Sequence, residues 1–211
     1  MKIKTILIVS VLALGFSTGS QAGESQSSKS NAETENNTKA ASANYSINTE
    51  SSVVNWKGSM AGVYAHTGTL KLSKGSMVLK NGKISKGNFT VDMNSMKTTD
   101  SDDNYKNAPR ERLVGHLKSD DFFATEKFPT ASFKITKHSE NELSGELTVR
   151  GITNKETVTN VKISESDGAF KATGNLVFDR QKYKVTYKNK MGDMVLSDDI
   201  ELTISISGKS E

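Results

Sequence analysis

The sequence predicts an all-β protein, an extended antiparallel barrel of about eight strands with one short helix near one end. Three observations carry this. At least five segments alternate apolar and polar residues with a period of two. Turn-forming residues separate them. Only one stretch, residues 107–118, has the spacing of a helix.

The strands follow in order. Val53–Lys57, Val63–Leu72 and Ser76–Leu79 are the first candidates. Phe89, Val91 and Met93 then alternate with Thr90, Asp92 and Asn94. Ala131, Phe133 and Ile135 alternate with Ser132, Lys134 and Thr136. Leu143, Gly145, Leu147 and Val149 share one face of Glu142–Val149, and Thr157–Ser164 follows. Phe170, Ala172, Gly174, Leu176 and Phe178 share a face, as do Ile200, Leu202, Ile204 and Ile206. Asn81-Gly82, Ser139–Asn141, Gly151, Asp167-Gly168 and Gly192-Asp193 supply turns. Within residues 107–118, Leu113 and Leu117 lie four apart, which suits a helix covering part of the barrel. Thr98–Asn104 before it is polar and reads as a mobile loop. Strands with one apolar and one polar face, joined by short turns, fit an antiparallel sheet. Closing such a sheet removes exposed edges, and about eight strands leave an interior either filled by side chains or holding one small ligand.

The N-terminus reads as an export signal over residues 1–22. Lys2 and Lys4 precede the apolar run Ile6–Leu14, broken only by Ser10, and Ser20-Gln21-Ala22 offers a cleavage site. That run is too short for a convincing membrane span, and stable membrane insertion is not expected. Residues 23–44 lack any large apolar side chain and read as a disordered tether before a domain over 45–211. The chain has no Cys, so neither a cysteine-linked lipid anchor nor a disulfide framework is expected. An exported protein without disulfides fits the bacterial periplasm. Removing Lys2 and Lys4 lowers the net charge from +4 to +2, with 26 basic residues against 24 acidic ones. The signs are interspersed, unlike the basic face of a nucleic-acid binder.

Catalytic motifs are nearly absent. The single G-x-S-x-G match, Gly15–Gly19, falls in the signal and lacks the strand–turn–helix setting of a nucleophile elbow. His116 and Asp120 lie four apart, too few for a zinc site, and read as a solvated helix end. His138 beside a hairpin turn is expected to be exposed. No metal or cofactor is expected. His66 differs: it shares the face of Tyr64, Gly68, Leu70 and Leu72 and should point inward. Arg180 continues the face of Leu176 and Phe178, though Val177 blurs that phase. An inward Arg is costly unless paired. Two readings stay open. Either these groups meet internal partners such as Asp92, Asp120, Asp121 or backbone carbonyls, or they meet the polar head of a ligand whose tail fills the barrel. Trp56, Tyr64, Phe122, Phe123, Phe128 and Phe133 fit a plain core or a pocket wall.

Several segments in order resemble the YceI family. They run from Tyr45-Ser46-Ile47-Asn48 and Ser52–Gly58 through His66-Thr67-Gly68 and Gly87–Met93. They continue with His116–Phe123, Phe128–Phe133, Gly145–Thr153, Phe178-Asp179-Arg180 and Leu196–Leu202. The resemblance covers Tyr45 to Ser207. It implies a lipocalin-like barrel with a long pocket for polyisoprenoid-type chains, in proteins that are exported, commonly periplasmic and often dimeric. The stretch Arg180–Val185 departs from the family pattern. The ligand-contacting set expected from both arguments is His66, Arg180, Trp56, Tyr64, Phe89, Met93, Leu117, Asp121, Phe122, Phe123, Phe133, Leu147, Phe178 and Tyr183. The expected function is to carry or sequester an isoprenoid quinone or polyprenyl phosphate without catalysis. Competing readings are a stress-response protein for fatty amides, a lipid-acting enzyme using His66 or Asp121 as base, and a filled barrel that binds a partner on its outer surface.

Overall fold

The computed structural model describes residues 42–60, 64–188 and 195–211. The expected signal, most of the tether, Val63 and the Gly192-Asp193 turn lie outside these. Nine strands form one antiparallel sheet: β1 (Ser42–Ile47), β2 (Val53–Met60), β3 (Tyr64–Lys80), β4 (Lys83–Thr98), β5 (Thr130–Ser139), β6 (Glu142–Val149), β7 (Ile152–Ser166), β8 (Ala169–Asp179) and β9 (Leu196–Ser210). The pairing of β3 with β4 closes it into a barrel.

The nine strands occupy eight positions around the ring. β1 and β2 both lie between β3 and β9: β1 pairs with Ser76–Lys80 and β2 with Tyr64–Lys71 of the same long strand. The break between them is held by side chains. Asn48 Oδ1 accepts from the Glu50 and Ser51 amides at 3.0 and 3.2 Å, and buried Ser52 accepts from the Ser207 amide at 3.1 Å. β1 begins at Ser42, so the last three residues expected in the tether already pair with Val78–Lys80. Backbone pairing needs no apolar side chain there, which is why composition placed the boundary later.

Val63–Leu72 and Ser76–Leu79, read as two strands, are parts of one 17-residue strand. The register of β3 on β4 shifts between Leu72 and Lys74. The inward face therefore passes from Leu70 and Leu72 to Met77 and Leu79 across a bulge. A similar shift in β7, with Asn160 at φ 53°, turns both Val158 and Val161 inward. Asn81-Gly82, Arg150-Gly151 and Asp167-Gly168 have positive φ at both residues, the two-residue hairpin geometry that matches strand twist.

The two ends of the barrel differ. At one, the turns after β3, β5 and β7 are tight, and Tyr45 stands edge-on to Phe170 with ring centres 5.0 Å apart. Met77, Leu79, Ile84 and Phe170 are almost fully buried there. Gly208 is needed at this end: a Cβ would stand 2.2 Å from the Ser46 carbonyl and 2.5 Å from the Phe170 ring. The other end carries the long connections, including α1 (Arg110–Lys118) between β4 and β5. No described helix is long and apolar enough to cross a membrane.

Candidate functional site

The inward faces do not meet in the middle. They enclose a cavity of about 310 Å³ with an almost wholly apolar lining, within the usual range for small-molecule sites. Every ring position contributes, for example Trp56, Leu70, Phe89, Phe133, Leu147, Val158, Leu176 and Leu202. Along β3 the lining runs from Tyr64 to Met77, roughly 40 Å of strand and about 30 Å along a tilted barrel. Met77, Ile84 and Phe170 line the tight-turn end, and Leu113 and Leu117 of α1 the other.

Twelve of the expected residues line this cavity: Trp56, Tyr64, His66, Phe89, Met93, Leu117, Phe122, Phe123, Phe133, Leu147, Phe178 and Arg180. Asp121 and Tyr183 do not. Asp121 is exposed and sits 3.2 Å from His116 Nε2. Tyr183 is fully buried, edge-on to Phe178 at 5.3 Å, and donates to Glu156 at 3.0 Å. Burial and that carboxylate push its phenol pKa well up.

Arg180 points inward as its parity predicts and is 2% exposed. It follows the internal-partner reading. Nε donates to the Ser197 carbonyl at 3.0 Å, Nη1 to the Val185 and Tyr187 carbonyls, and Nη2 pairs with Asp198 at 2.8 Å. The guanidinium thereby ties the chain after β8 to the start of β9. Burial pushes its pKa down, and Asp198 and Asp179 oppose this. Val177, which blurred the phase, is 52% exposed.

His66 also turns inward, but its partner is none of those expected. Nδ1 lies 2.8 Å from Asp100 Oδ2. Asp100 further accepts from Tyr105 Oη at 2.8 Å and from Asn104 Nδ2 at 2.9 Å. Its own desolvation is outweighed by these bonds, which hold its pKa at about 2. Arg110 donates to the Asp100 carbonyl at 2.6 Å, pairs with Asp102, and stacks 4.3 Å over Tyr105. Thr98–Asn104, read as a mobile loop, runs instead from the last residue of β4 into a short turn (Asp102–Tyr105) bound into this network. Composition concealed it because every bond in it is polar and depends on loop geometry. The one available signal was the inward His66, which needed a partner.

The other two histidines also differ from expectation. His116 pairs with Asp121 rather than Asp120, which binds Lys127 at 2.7 Å. The helix ends at Lys118, so helical spacing does not apply beyond it. Its ring lies between Phe122 and Tyr187 at 4.9 and 4.7 Å and lines the cavity. His138 is half-buried: Nδ1 accepts from the Ile84 amide at 2.9 Å and Nε2 donates to the Glu140 carbonyl at 3.0 Å. Trp56 Nε1 is buried without a partner among the described residues.

A model of the YceI-like domain matches residues 45–208. The chain belongs to the YceI family. A UPF0312 protein of Staphylococcus aureus (strain bovine RF122 / ET3-1) is 34% identical over 111 residues, covering 48% of this chain and 63% of that protein. The chain thus spans just under two thirds of the length of that curated relative. Burkholderia cenocepacia BcnA shares the fold at TM-score 0.61 and 18% identity, covering 76% of this chain and 98% of that one. A polyisoprenoid binding domain from Saccharophagus degradans, implicated in plant cell wall breakdown, matches at TM-score 0.54 and 13% identity, covering 79% and 98%. These two likenesses show the barrel fold.

Proposed function

We propose that this protein binds an amphiphilic isoprenoid-type lipid, an isoprenoid quinone or a polyprenyl derivative, and carries or sequesters it in the bacterial envelope. The observation that carries the reading is the elongated apolar cavity of about 310 Å³, lined from the tight-turn end to α1. Each buried CH₂ contributes about 0.8 kcal/mol, so one five-carbon unit contributes roughly 3–4 kcal/mol. A few units outweigh the cost of association. Membership of the YceI family and the fold shared with a polyisoprenoid binding domain support the same reading. The residues proposed to touch the tail are the apolar members of the expected set that line the cavity, with Leu113, Met96 and Ile204 added. Export by the N-terminal segment and release from the membrane surface belong to the same proposal.

Native mass spectrometry of the full chain purified from its own host tests it. An amphiphile should travel with the wild-type protein and be lost from Ala172→Phe, which fills the cavity from β8. A wild-type barrel that yields no lipid, by native mass spectrometry or organic extraction, overturns the proposal. The second reading, a lipid-acting enzyme, rests on the His66–Asp100 pair, a base with its orienting carboxylate. It predicts turnover of isoprenyl phosphates that His66→Ala abolishes.

A further inference from the structure

An amphiphile has a head as well as a tail, and the polar groups on the cavity wall discriminate among heads. This step rests on the lipid-binding reading. The lining side chains able to carry positive charge are His66, His116 and Arg180, and no lysine lines the cavity among the described residues. Each already faces a carboxylate: Asp100, Asp121 and Asp198 respectively. Arg180 has four donor contacts committed to that carboxylate and three carbonyls. His116 turns its Nε2 to Asp121. The wall therefore offers no uncommitted cation to a phosphate, and a buried anion without a partner is heavily penalised.

His66 Nε2 and His116 Nδ1 both lack a partner among the described residues, but only His66 is held by a buried carboxylate: Asp100 is 8% exposed and Asp121 65%. Asp100 collects donors from His66, Asn104 and Tyr105, and an ionised carboxylate only accepts. Nδ1 must then carry the proton. In the neutral ring Nε2 is left as a bare lone pair, with no protein partner among the described residues. The ring is held rather than free. Tyr64 stands edge-on at 5.1 Å and Tyr105 stacks at 5.5 Å. His66 is register-paired with Gly58, two residues inward from the Met60–Tyr64 pair at the α1 end. The receptor therefore lies roughly 5 Å inside the barrel, two residues along a tilted strand.

We propose that His66 Nε2 is the head-group receptor of the cavity, and that it selects a neutral head bearing a hydroxyl over a phosphate. The hydroxyl donates to the imidazole while the tail lies among the apolar faces. A long-chain isoprenoid alcohol and a prenylated hydroquinone share this chemistry.

Trp56, the single tryptophan, lies on the cavity wall and reports binding by its fluorescence. The full chain is titrated with geranylgeraniol, its methyl ether, geranylgeranyl phosphate and a prenylated hydroquinone. The ether keeps the oxygen but cannot donate. Wild type should bind the alcohol about five- to tenfold more tightly than the ether, the ratio expected for one hydrogen bond, and more tightly than the phosphate. The ratio of hydroquinone to alcohol tells which source the site prefers. His66→Phe should bind alcohol and ether equally and keep the tail affinity. His66→Gln, whose amide oxygen accepts, should restore part of the preference. The proposal is overturned if wild type does not distinguish alcohol from ether, prefers the phosphate, or keeps its preference as His66→Phe. The wild-type comparison alone decides if the variants do not fold. Binding of every probe without discrimination removes only the receptor, whereas no binding of any probe removes the lipid reading as well.

Discussion

Replacing Arg180 with Met separates the two roles open to an inward arginine. The substitution keeps much of the stem volume and removes the guanidinium. Three backbone carbonyls, of Ser197, Val185 and Tyr187, lose their donor, and Asp198 loses its ion-pair partner but keeps the Gln181 amide at 3.0 Å. Asp198 is 56% exposed, so water replaces that contact at little cost. The carbonyl of Val185, a fully buried residue, has no such substitute. Each buried acceptor left unsatisfied costs about 1–3 kcal/mol, and breaking a buried charged network costs about 3–5 kcal/mol. The sum at this site is about 4 kcal/mol. For a chain of this length that is a fall of roughly 10 °C in melting temperature, read by near-UV circular dichroism. Arg180→Lys should recover little, because one ammonium cannot span carbonyls on both sides of the connection. Val185 and Tyr187 line the cavity, so ligand affinity should fall along with stability. An Arg180→Met protein that melts within 2–3 °C of wild type, yet loses affinity for a phosphate-headed ligand, refutes this reasoning and returns Arg180 to the ligand.

Three further outcomes follow from the same geometry. Gly68→Ala should destabilise by about 1–3 kcal/mol or more and change Trp56 fluorescence, since a Cβ would lie 1.9 Å from the Lys97 carbonyl and 2.4 Å from the Trp56 ring; equal urea midpoints would contradict this. Asp100 has a folded pKa of about 2 against an ordinary 3.8, so its contribution of about 2 kcal/mol is present above pH 4 and is lost as pH falls toward 2. Urea midpoints at pH 6 and pH 2.5 should show this loss in wild type and a smaller one in Asp100→Asn. Tyr183→Phe should cost about 1 kcal/mol, the bond to Glu156, with no change in ligand affinity because Tyr183 lies off the cavity wall.

Much of the barrel was legible because period-two alternation is a local property. β6 matches its expected bounds, and the inward faces of β5, β8 and β9 are those predicted. The merged β3 and the early start of β1 were not legible. A bulge interrupts the alternation without ending the strand, and backbone pairing can continue under polar side chains.

The candidate site divides along the same line. The sequence by itself determined that His66 and Arg180 point inward and that Trp56, Phe89, Phe133 and Phe178 share the inner face, because a pleated strand alternates its side chains whatever it packs against. Only the tertiary structure decided what those residues meet. Asp100 reaches His66 across 34 residues, and Arg180 is satisfied by carbonyls up to 17 residues away. It also decided that the inner faces stand apart rather than interlock, since the space between facing strands depends on ring closure and strand tilt, which no single strand encodes.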